Sequence, residues 1–455
     1  MEILGKKISI IGAVKSGIGA AKLIRTLGGI PFISDSGKLE KLKDSVLIIN
    51  ELGLNYEIGH HSDKIFDCEL MIVSPGVPLN AEVLVKAREK NIKLISEIEL
   101  AASFCKGKII AITGSNGKTT TTTLCNYLLN ICGFKSYAAG NIGVAFSEIA
   151  LGLKENEFVS LEVSSFQLDL IDTFKPNVSV VLNITPDHLN RYDYKFENYI
   201  SSKLRIYKNQ DKDDFVIFNN DDKTLMDSAV KLSEDSRGFK SPAFYFSLSN
   251  SQSNGCFVSG DEIIFNKSDK TLFRCKVKDF SLKGEHNLAN AMAVISIAKL
   301  FNADNKKIIE ALSSFQAIEH RLELVKEIRG VKFINDSKAT NVDSVWYALR
   351  SFSEPIYLIL GGQDKGNDYN QIKDLVAERV VKIYAIGSSA EKVFNFFHSF
   401  VKVEIKQSIE DVVTSASEEA KQNDVVLLSP ACASFDMFNS YEHRGRIFKE
   451  AVNRL

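Results

Sequence analysis

One stretch limits what this chain can become: Lys108-Ile-Ile-Ala-Ile-Thr-Gly114-Ser115-Asn116-Gly117-Lys118-Thr119-Thr120, running on to Ile131. The apolar run Ile109 to Ile112 reads as a strand, the glycines as a tight loop, and the segment after Lys118 as a helix. Two glycines let the backbone close around a ligand, and the N–H groups that open the helix have no intrahelical partner. The helix end carries about half a positive charge, Lys118 adds a full one, and the Thr119 hydroxyl can ligate the magnesium that accompanies a nucleoside triphosphate. The stretch reads as a phosphate-binding loop of the shorter form Gly-x-x-Gly-Lys-Thr, because Ile112 stands where the longer pattern has glycine. The alternative is a turn that merely joins strand to helix.

A chain of 455 residues is too long for one core, so about two to four domains are expected. Lys plus Arg, at 56, balance Asp plus Glu, at 57, and no polybasic run occurs. Charge therefore gives no argument for nucleic acid or an anionic membrane surface. No apolar segment approaches the ~18 residues of a membrane span. Met1 to Ile11 leads into a strand without an apolar leader core or cleavage site. The seven cysteines contain no Cys-x-x-Cys pair, which argues against a disulfide framework and a zinc cage and for the cytoplasm.

The pattern of strands and helices predicts an α/β protein of three domains: a Rossmann-like domain over 1–106, a P-loop mononucleotide-binding domain over 107–317, and a Rossmann-like α/β domain over 318–455. In the first, strand Lys7 to Ile11 turns through Gly12-Ala-Val-Lys15-Ser16-Gly17-Ile-Gly19 into a helix, and a second strand ends at Asp35. A glycine turn with an acidic residue ~20 positions on suits a dinucleotide, but the glycines are not spaced Gly-x-Gly-x-x-Gly. Another nucleotide-like ligand is therefore favoured over NAD, with a structural turn as the remaining reading. Ser74-Pro75-Gly76-Val77-Pro78 follows strand Leu70 to Val73, at the strand end where open α/β sheets bind ligands. His60-His61, without a partner at ligand spacing, reads as solvated surface.

In the central domain, Glu162 sits inside the apolar strand Phe158 to Val163. A buried carboxylate there needs a partner, and magnesium or a lysine would serve. Strand Val178 to Asn183 delivers Ile184-Thr185-Pro186-Asp187-His188 to the same edge, and His188 alone could be structural or catalytic. The helix from Phe196 to about Lys208 places Lys203 on its apolar stripe of Phe196, Tyr199, Ile200, Leu204 and Tyr207. Lys203 either snorkels or is a semi-buried amine open to carbamylation, which would make it a metal-binding carboxylate. Residues 211 to 280 read as further strands and surface hairpins around the Ser-rich stretch 247–253. Asn287 and Asn290 lie one turn apart near the start of a helix.

In the last domain, strands Val331 to Ile334, Ile356 to Leu360, Lys382 to Ile386 and Val425 to Leu428 alternate with helices, as a third parallel unit would. Polar blocks follow their carboxyl ends. Cys432 reads as a packing residue, since no base is evident beside it.

Thr113-Gly-Ser-Asn-Gly-Lys-Thr119, Gly140-Asn-Ile-Gly143, Thr185-Pro-Asp-His188, Ser202-Lys-Leu-Arg-Ile-Tyr207, Gly284 to Asn290 and Glu319-His-Arg321 together resemble the Mur ligases, the ATP-dependent amide-forming enzymes of peptidoglycan assembly. The resemblance covers essentially the whole chain. Asn335-Asp-Ser-Lys-Ala-Thr-Asn341, Leu360-Gly-Gly-Gln-Asp-Lys365, Leu428-Ser-Pro-Ala-Cys-Ala-Ser434, Ser74-Pro-Gly-Val-Pro78 and Glu97-Ile-Glu99 look like the members that add D-glutamate to UDP-N-acetylmuramoyl-L-alanine.

That resemblance implies ATP, two magnesium ions and a carbamylated Lys203. Gly114, Ser115, Asn116, Gly117, Lys118, Thr119 and Thr120 would hold the ATP phosphates, with Asn290, His320, Arg321 and Asp336 on the nucleotide. Thr119 and Glu162 would bind one metal, His188 and Lys203 the other. Lys118, Asn141, His188 and Lys203 would be catalytic. Lys15, Ser16, Asp35, Ser36, Ser74 and Gly76 would hold the UDP-sugar, and Lys338, Thr340, Lys365, Ser434 and Tyr441 the D-glutamate. Two positions depart from the family pattern: Tyr441 stands where phenylalanine is frequent, and Ala13-Val-Lys15-Ser16 where Gly-x-Gly is common.

The implied enzyme is a cytoplasmic monomer with small-molecule substrates, acting through an acyl phosphate, with closure of the last domain completing its site. Its place is cell-wall precursor synthesis, and through it cell shape and division. A folylpolyglutamate synthase-like ligase and a P-loop ATPase without ligase chemistry are the alternatives.

Overall fold

The computed structural model describes residues 1–234, 240–282, 284–316 and 319–455. They form two compact units, Met1–Ser281 with Asn287–Phe315, and Leu282–His286 with Gln316–Leu455. The boundary expected at 317/318 lies outside the described residues.

The first unit holds two sheets. Its amino-terminal sheet has five parallel strands in the order Asn55–Ile58, Ile30–Asp35, Lys7–Ile11, Leu70–Val73, Lys93–Ser96. The chain reverses its winding between the third and fourth of these, so Gly12 and Ser74 open a crevice at their carboxyl ends. The helix Lys15–Thr26 closes tightly over the first turn. A Cβ at Gly17 would lie 1.9 Å from the Gly12 carbonyl oxygen, so no other residue fits there.

The second sheet has nine strands in the order Lys270–Lys276, Glu262–Lys267, Gly255–Ser259, Ala243–Ser247, Phe215–Asn219, Val178–Val181, Lys108–Thr113, Phe158–Glu162, Ser136–Gly140. The phosphate-loop strand Lys108–Thr113 lies between two parallel neighbours with Ile110, Ala111 and Ile112 fully buried. This is the unbroken apolar run of a strand covered on both faces.

Two expectations change here. Strand Val178–Val181 ends before Asn183, because Asn183 turns its main chain and side chain to the phosphate loop. Residues 211–280 are more than surface hairpins. Phe215–Asn219 and Ala243–Ser247 continue the parallel sheet, and Phe218, Phe246 and Phe265 are buried. Stacking of Phe244 on Phe265, with centroids 6.1 Å apart, carries the apolar layer out into the antiparallel hairpins.

One apolar core runs through both sheets, from Ile8, Ile24 and Ile98 to Phe146, Leu161 and Phe174. Two buried carboxylates on the helix Glu97–Ala102 fasten the sheets together. Glu97 accepts the N–H of Ser147 at 2.6 Å. Glu99 accepts the N–H groups of Asp172, Thr173 and Phe174 at 2.9, 2.9 and 2.8 Å, and the Thr173 hydroxyl at 2.6 Å.

In the second unit the order is Glu323–Ile328, Val331–Asn335, Val425–Leu428, Ile356–Gly361, Val380–Ile386, Lys402–Ile405. All neighbours are parallel except the first pair, an antiparallel edge hairpin that the strand count did not foresee. Period-two alternation splits the sheet's side chains between two cores, Leu358 and Leu360 on one face, Tyr357 and Ile359 on the other.

Glu99→Ala takes the acceptor from the buried Phe174 N–H and from the part-buried N–H groups of Asp172 and Thr173. It should lower the unfolding free energy by about 3 kcal/mol or more, read as a fall in the urea midpoint.

Candidate active site

The phosphate loop is held by its neighbours as well as by its glycines. Asn183 Oδ1 accepts the Asn116 N–H at 2.8 Å, its Nδ2 donates to the Asn116 carbonyl at 3.1 Å, and its own carbonyl accepts the Ser115 N–H at 3.0 Å. Ser115 Oγ donates to the Thr185 carbonyl at 2.8 Å and accepts its N–H at 2.9 Å, tying the loop to the segment that carries His188. Gly117, at φ +83°, caps the helix Lys118–Ile131. A Cβ there would come within 2.5 Å of Asn290 Oδ1. Among the described residues, Asn290 Nδ2 is buried with no hydrogen-bond partner, as is Thr120 Oγ1. Unpaired buried polar atoms around a loop of N–H donors suit an anionic, hydrogen-bonding ligand such as a nucleotide.

Two lysines meet inside the loop. Lys118 Nζ donates to the carbonyls of Gly114 and Ser115 at 2.7 and 2.8 Å, and Lys203 Nζ donates to the same Gly114 carbonyl at 2.7 Å. Lys203 is 1% exposed, so it does not snorkel to water. Its ammonium stands 4.6 Å from the Tyr199 ring centroid. Burial first, and the nearby Lys118 second, hold its pKa well below the usual lysine range, which favours the neutral amine.

Glu162 is buried at the strand end, where Oε2 accepts the Thr119 hydroxyl at 2.8 Å and Oε1 accepts Asn141 Nδ2 at 2.9 Å. A hydroxyl and a carboxylate side by side at a phosphate loop are the hard oxygen donors that fit magnesium. His188 occupies the left-handed region at φ +53°, 3.6 Å from the Asp187 carboxylate and 5.1 Å, ring to ring, from Phe166.

Beside this lies a cleft of about 660 Å³ in the same unit. Lys15, Ser16, Asp35, Ser36, Ser74 and Gly76 all line it, and Asn141 forms part of its wall. Asp35 is oriented by the N–H groups of Ala13 and Gly37, at 2.8 and 2.7 Å. Gln167 and His61 line the cleft as well. His61 is therefore not the solvated residue expected. Its Nδ1 lies 2.6 Å from the buried Ser34 Oγ, which in turn donates to Glu57 at 2.7 Å. Ser34 stands 27 residues before His61, so the tandem histidine carried no local sign of it, whereas Glu57 is a near neighbour in the chain.

In the second unit, the blocks singled out from the sequence follow the adjacent strands Val331–Asn335, Val425–Leu428 and Ile356–Gly361. Lys338 Nζ donates to the Tyr441 hydroxyl at 3.2 Å, and the Lys338 N–H donates to the His320 carbonyl at 3.1 Å. Asp336 accepts the Ser429 hydroxyl at 2.9 Å and the Leu322 N–H at 3.3 Å. Burial lifts its pKa to about 7, against the pull of Arg321. Ser434 is buried, and Thr340 and Lys365 are half-buried on their loops.

Burial pushes the Cys432 thiol pKa up, which fits a packing residue. Arg444, not anticipated from the sequence, is wholly buried among these loops. It donates to Ser337 Oγ at 3.0 Å, the Ser337 carbonyl at 2.8 Å and the Cys432 carbonyl at 3.1 Å.

A phosphate loop, a nucleotide-sized cleft in the same unit and a further, mostly parallel sheet with polar loop ends define an α/β nucleotide-binding protein. Family models agree: the MurD N-terminal domain matches residues 7–83, the Mur ligase middle domain 112–298, and the Mur ligase glutamate ligase domain 320–432. The UDP-N-acetylmuramoylalanine--D-glutamate ligase of Koribacter versatilis is 42% identical over all of this chain and 99% of its own length. That of Cytophaga hutchinsonii is 44% identical over 99% of this chain and all of its own. Among solved structures, the ligase MurC of Thermotoga maritima shares the fold at TM-score 0.63, with 19% identity over 99% of both chains. MurF of the same organism, in complex with ADP, does so at 0.60, with 17% identity over 93% of this chain and 95% of that one. The chain belongs to the Mur ligase family, in the group of the UDP-N-acetylmuramoylalanine--D-glutamate ligases.

The buried Lys203 yields a stability prediction. With its folded pKa below 10.5, the folded state binds fewer protons than the unfolded chain between that lowered value and 10.5, so stability rises with pH across that window. Lys203→Met removes the slope. At neutral pH it should match or exceed the parent's stability by about 1 kcal/mol while losing turnover, as read by urea unfolding at neutral and alkaline pH beside an activity assay.

Proposed function

We propose that the chain joins D-glutamate to UDP-N-acetylmuramoyl-L-alanine at the expense of ATP, releasing ADP and phosphate, in peptidoglycan precursor synthesis. The observation that carries the reading is Asn141, whose amide donates to Glu162 beside the phosphate loop while the residue lines the cleft. A carboxylate at the end of a ligand in that cleft and the last phosphate of a triphosphate on the loop would meet there.

A carboxylate is a poor acyl donor to an amine, so it first attacks the γ-phosphorus, giving an acyl phosphate and ADP. The D-glutamate amine then adds to the acyl carbon, phosphate leaves, and a proton is lost to give the amide. Lys118 sits at the loop to neutralise the transferring phosphoryl group, and the amino-terminal end of the helix Lys118–Ile131 turns its dipole to the same charge. Thr119 and Glu162 would hold one magnesium ion, and His188 with a carbamylated Lys203 a second. Bound there, magnesium screens the phosphate charge and lowers the barrier to in-line attack. Carbamylation is supported by the suppressed protonation of Lys203, since only the neutral amine adds carbon dioxide.

Lys15, Ser16, Asp35, Ser36, Ser74 and Gly76 bind the nucleotide-sugar in this reading. Asn290, His320, Arg321 and Asp336 serve ATP, and Lys338, Thr340, Lys365, Ser434 and Tyr441 serve D-glutamate. In this reading the first two domains divide at 106/107, and the enzyme works as a cytoplasmic monomer.

The test is phosphate release from ATP, magnesium and UDP-N-acetylmuramoyl-L-alanine with D-glutamate, L-glutamate, meso-diaminopimelate, L-lysine or no amino acid. Release that depends on D-glutamate alone is expected. Release without an amino acid would mean an ATPase, and dependence on another amino acid a different ligase. In the same assay Lys118→Ala should slow turnover ~10²-fold or more, and an undiminished rate would remove Lys118 from the chemistry.

A further inference from the structure

One side chain links the cleft to the phosphate-loop side of the first unit. Arg191 ends the short turn Leu189–Arg191 that follows His188. Its Nη2 donates to the carbonyls of Val77 at 2.9 Å and Pro75 at 3.3 Å, and its Nη1 to that of Gly76 at 3.3 Å. Three successive carbonyls of the turn 74–78 thus converge on one guanidinium. The other side of that group lies against Phe166, with Cζ 4.3 Å from the ring centroid. The same ring meets His188 edge-on at 5.1 Å and stacks on Tyr192 at 5.9 Å.

The carbonyl contacts have a consequence on the cleft side. In a trans peptide the C=O and the following N–H point in opposite directions. Drawing the Pro75 carbonyl to Arg191 therefore turns the Gly76 N–H away from the guanidinium. Gly76 lines the cleft, and a Cβ on it would meet nothing within 4 Å. The Val77 N–H closes the turn on the Ser74 carbonyl at 3.0 Å, and Ser74 Oγ lies 3.2 Å from Ser16 Oγ at the glycine turn. The turn's shape and the place of His188 depend on one planar cation wedged between them. Lysine could replace it only in part, because a single ammonium on a flexible stem does not match a fan of three carbonyls or stack on a ring as a guanidinium does.

We propose that Arg191 is a positioning residue that couples filling of the cleft by the diphosphate part of a nucleotide-sugar to the placement of His188. It fixes the turn 74–78 as a donor-presenting wall and shares Phe166 with the histidine. The ligand named here rests on the function proposed above, whereas the strap itself can be tested without any ligand.

The experiment compares the full-length protein with Arg191→Gln and Arg191→Lys. Amide hydrogen exchange is followed on the unliganded proteins, and binding of UDP-N-acetylmuramoyl-L-alanine and of ADP by calorimetry. In Arg191→Gln the Val77 amide and those of 189–192 should exchange about tenfold faster, with the strands of both sheets unchanged. Nucleotide-sugar affinity should fall by roughly tenfold, as expected for lost charge-assisted hydrogen bonds, while ADP binding stays within about twofold. Arg191→Lys should recover part of the nucleotide-sugar affinity.

Unchanged exchange at Val77 would overturn the proposal. So would faster exchange throughout both sheets with both ligands equally weakened, which would mean a merely structural arginine. A parent protein that binds ADP but no nucleotide-sugar would overturn the function proposed above and the coupling with it, while the Val77 exchange would still decide whether the strap exists.

Discussion

Two ammonium groups share the carbonyl of Gly114, and much of the first unit is arranged to make that possible. Lys118 comes from the helix after the loop and Lys203 from the helix Phe196–Leu204, yet both place Nζ 2.7 Å from one oxygen. Like charges so close in a dry site repel, and the neutral form of one of them relieves this. Lys203, the more deeply buried, is the one held well below the usual lysine range. The loop therefore gathers positive potential before any phosphate arrives, with the carbonyls of Gly114 and Ser115 accepting from Lys118. A phosphate oxygen would draw Lys118 off those carbonyls at little reorganisation cost, the condition under which preorganised charge is effective.

The cleft depends on this centre through rigid joints. Glu97 and Glu99 answer main-chain N–H groups across the boundary between the two sheets, so the amino-terminal strands cannot drift relative to the phosphate loop without unpairing a buried carboxylate. Ser115 and Asn183 do the same within the central sheet, fixing the loop to the segments that follow the neighbouring strand. Asn141 can then serve the cleft and Glu162 at once, because neither is free to move away from the other.

The phosphate loop, the strands beside it and the six cleft residues, five polar and one glycine, were legible in the sequence because each lies in a local pattern. An apolar run ends in glycines, or a strand end is followed by small polar residues, and the topology of parallel sheets brings such ends to one edge. The burial of Lys203 was legible too, since it falls on an apolar stripe of period 3.6. What stayed hidden is non-local. His61 gains meaning only beside Ser34, Asn183 only beside Asn116, and Arg444 only beside Ser337 and Cys432. None of these contacts has a period or spacing. The edge strand Glu323–Ile328 was missed for a related reason: none of its residues is fully buried, so it lacks the apolar signature of the strands inside.

Arg444 shows why such a hidden residue is worth its burial. Desolvation lowers its pKa to about 10, so it remains a cation at neutral pH, where burying it is costly. The structure offsets that cost with three hydrogen bonds, one to a hydroxyl and two to carbonyls. Those partners lie on two loops, one carrying Lys338 and Thr340 and the other Ser434. A guanidinium donates from a fixed planar fork, so bonding both loops at once fixes their separation in a way that independent water-filled contacts would not. Apolar packing could fill the same volume, but it is non-directional and would tolerate a slip of one loop past the other. The polar ends of the sheet need a defined spacing more than they need stability, and a buried, fully bonded arginine supplies it.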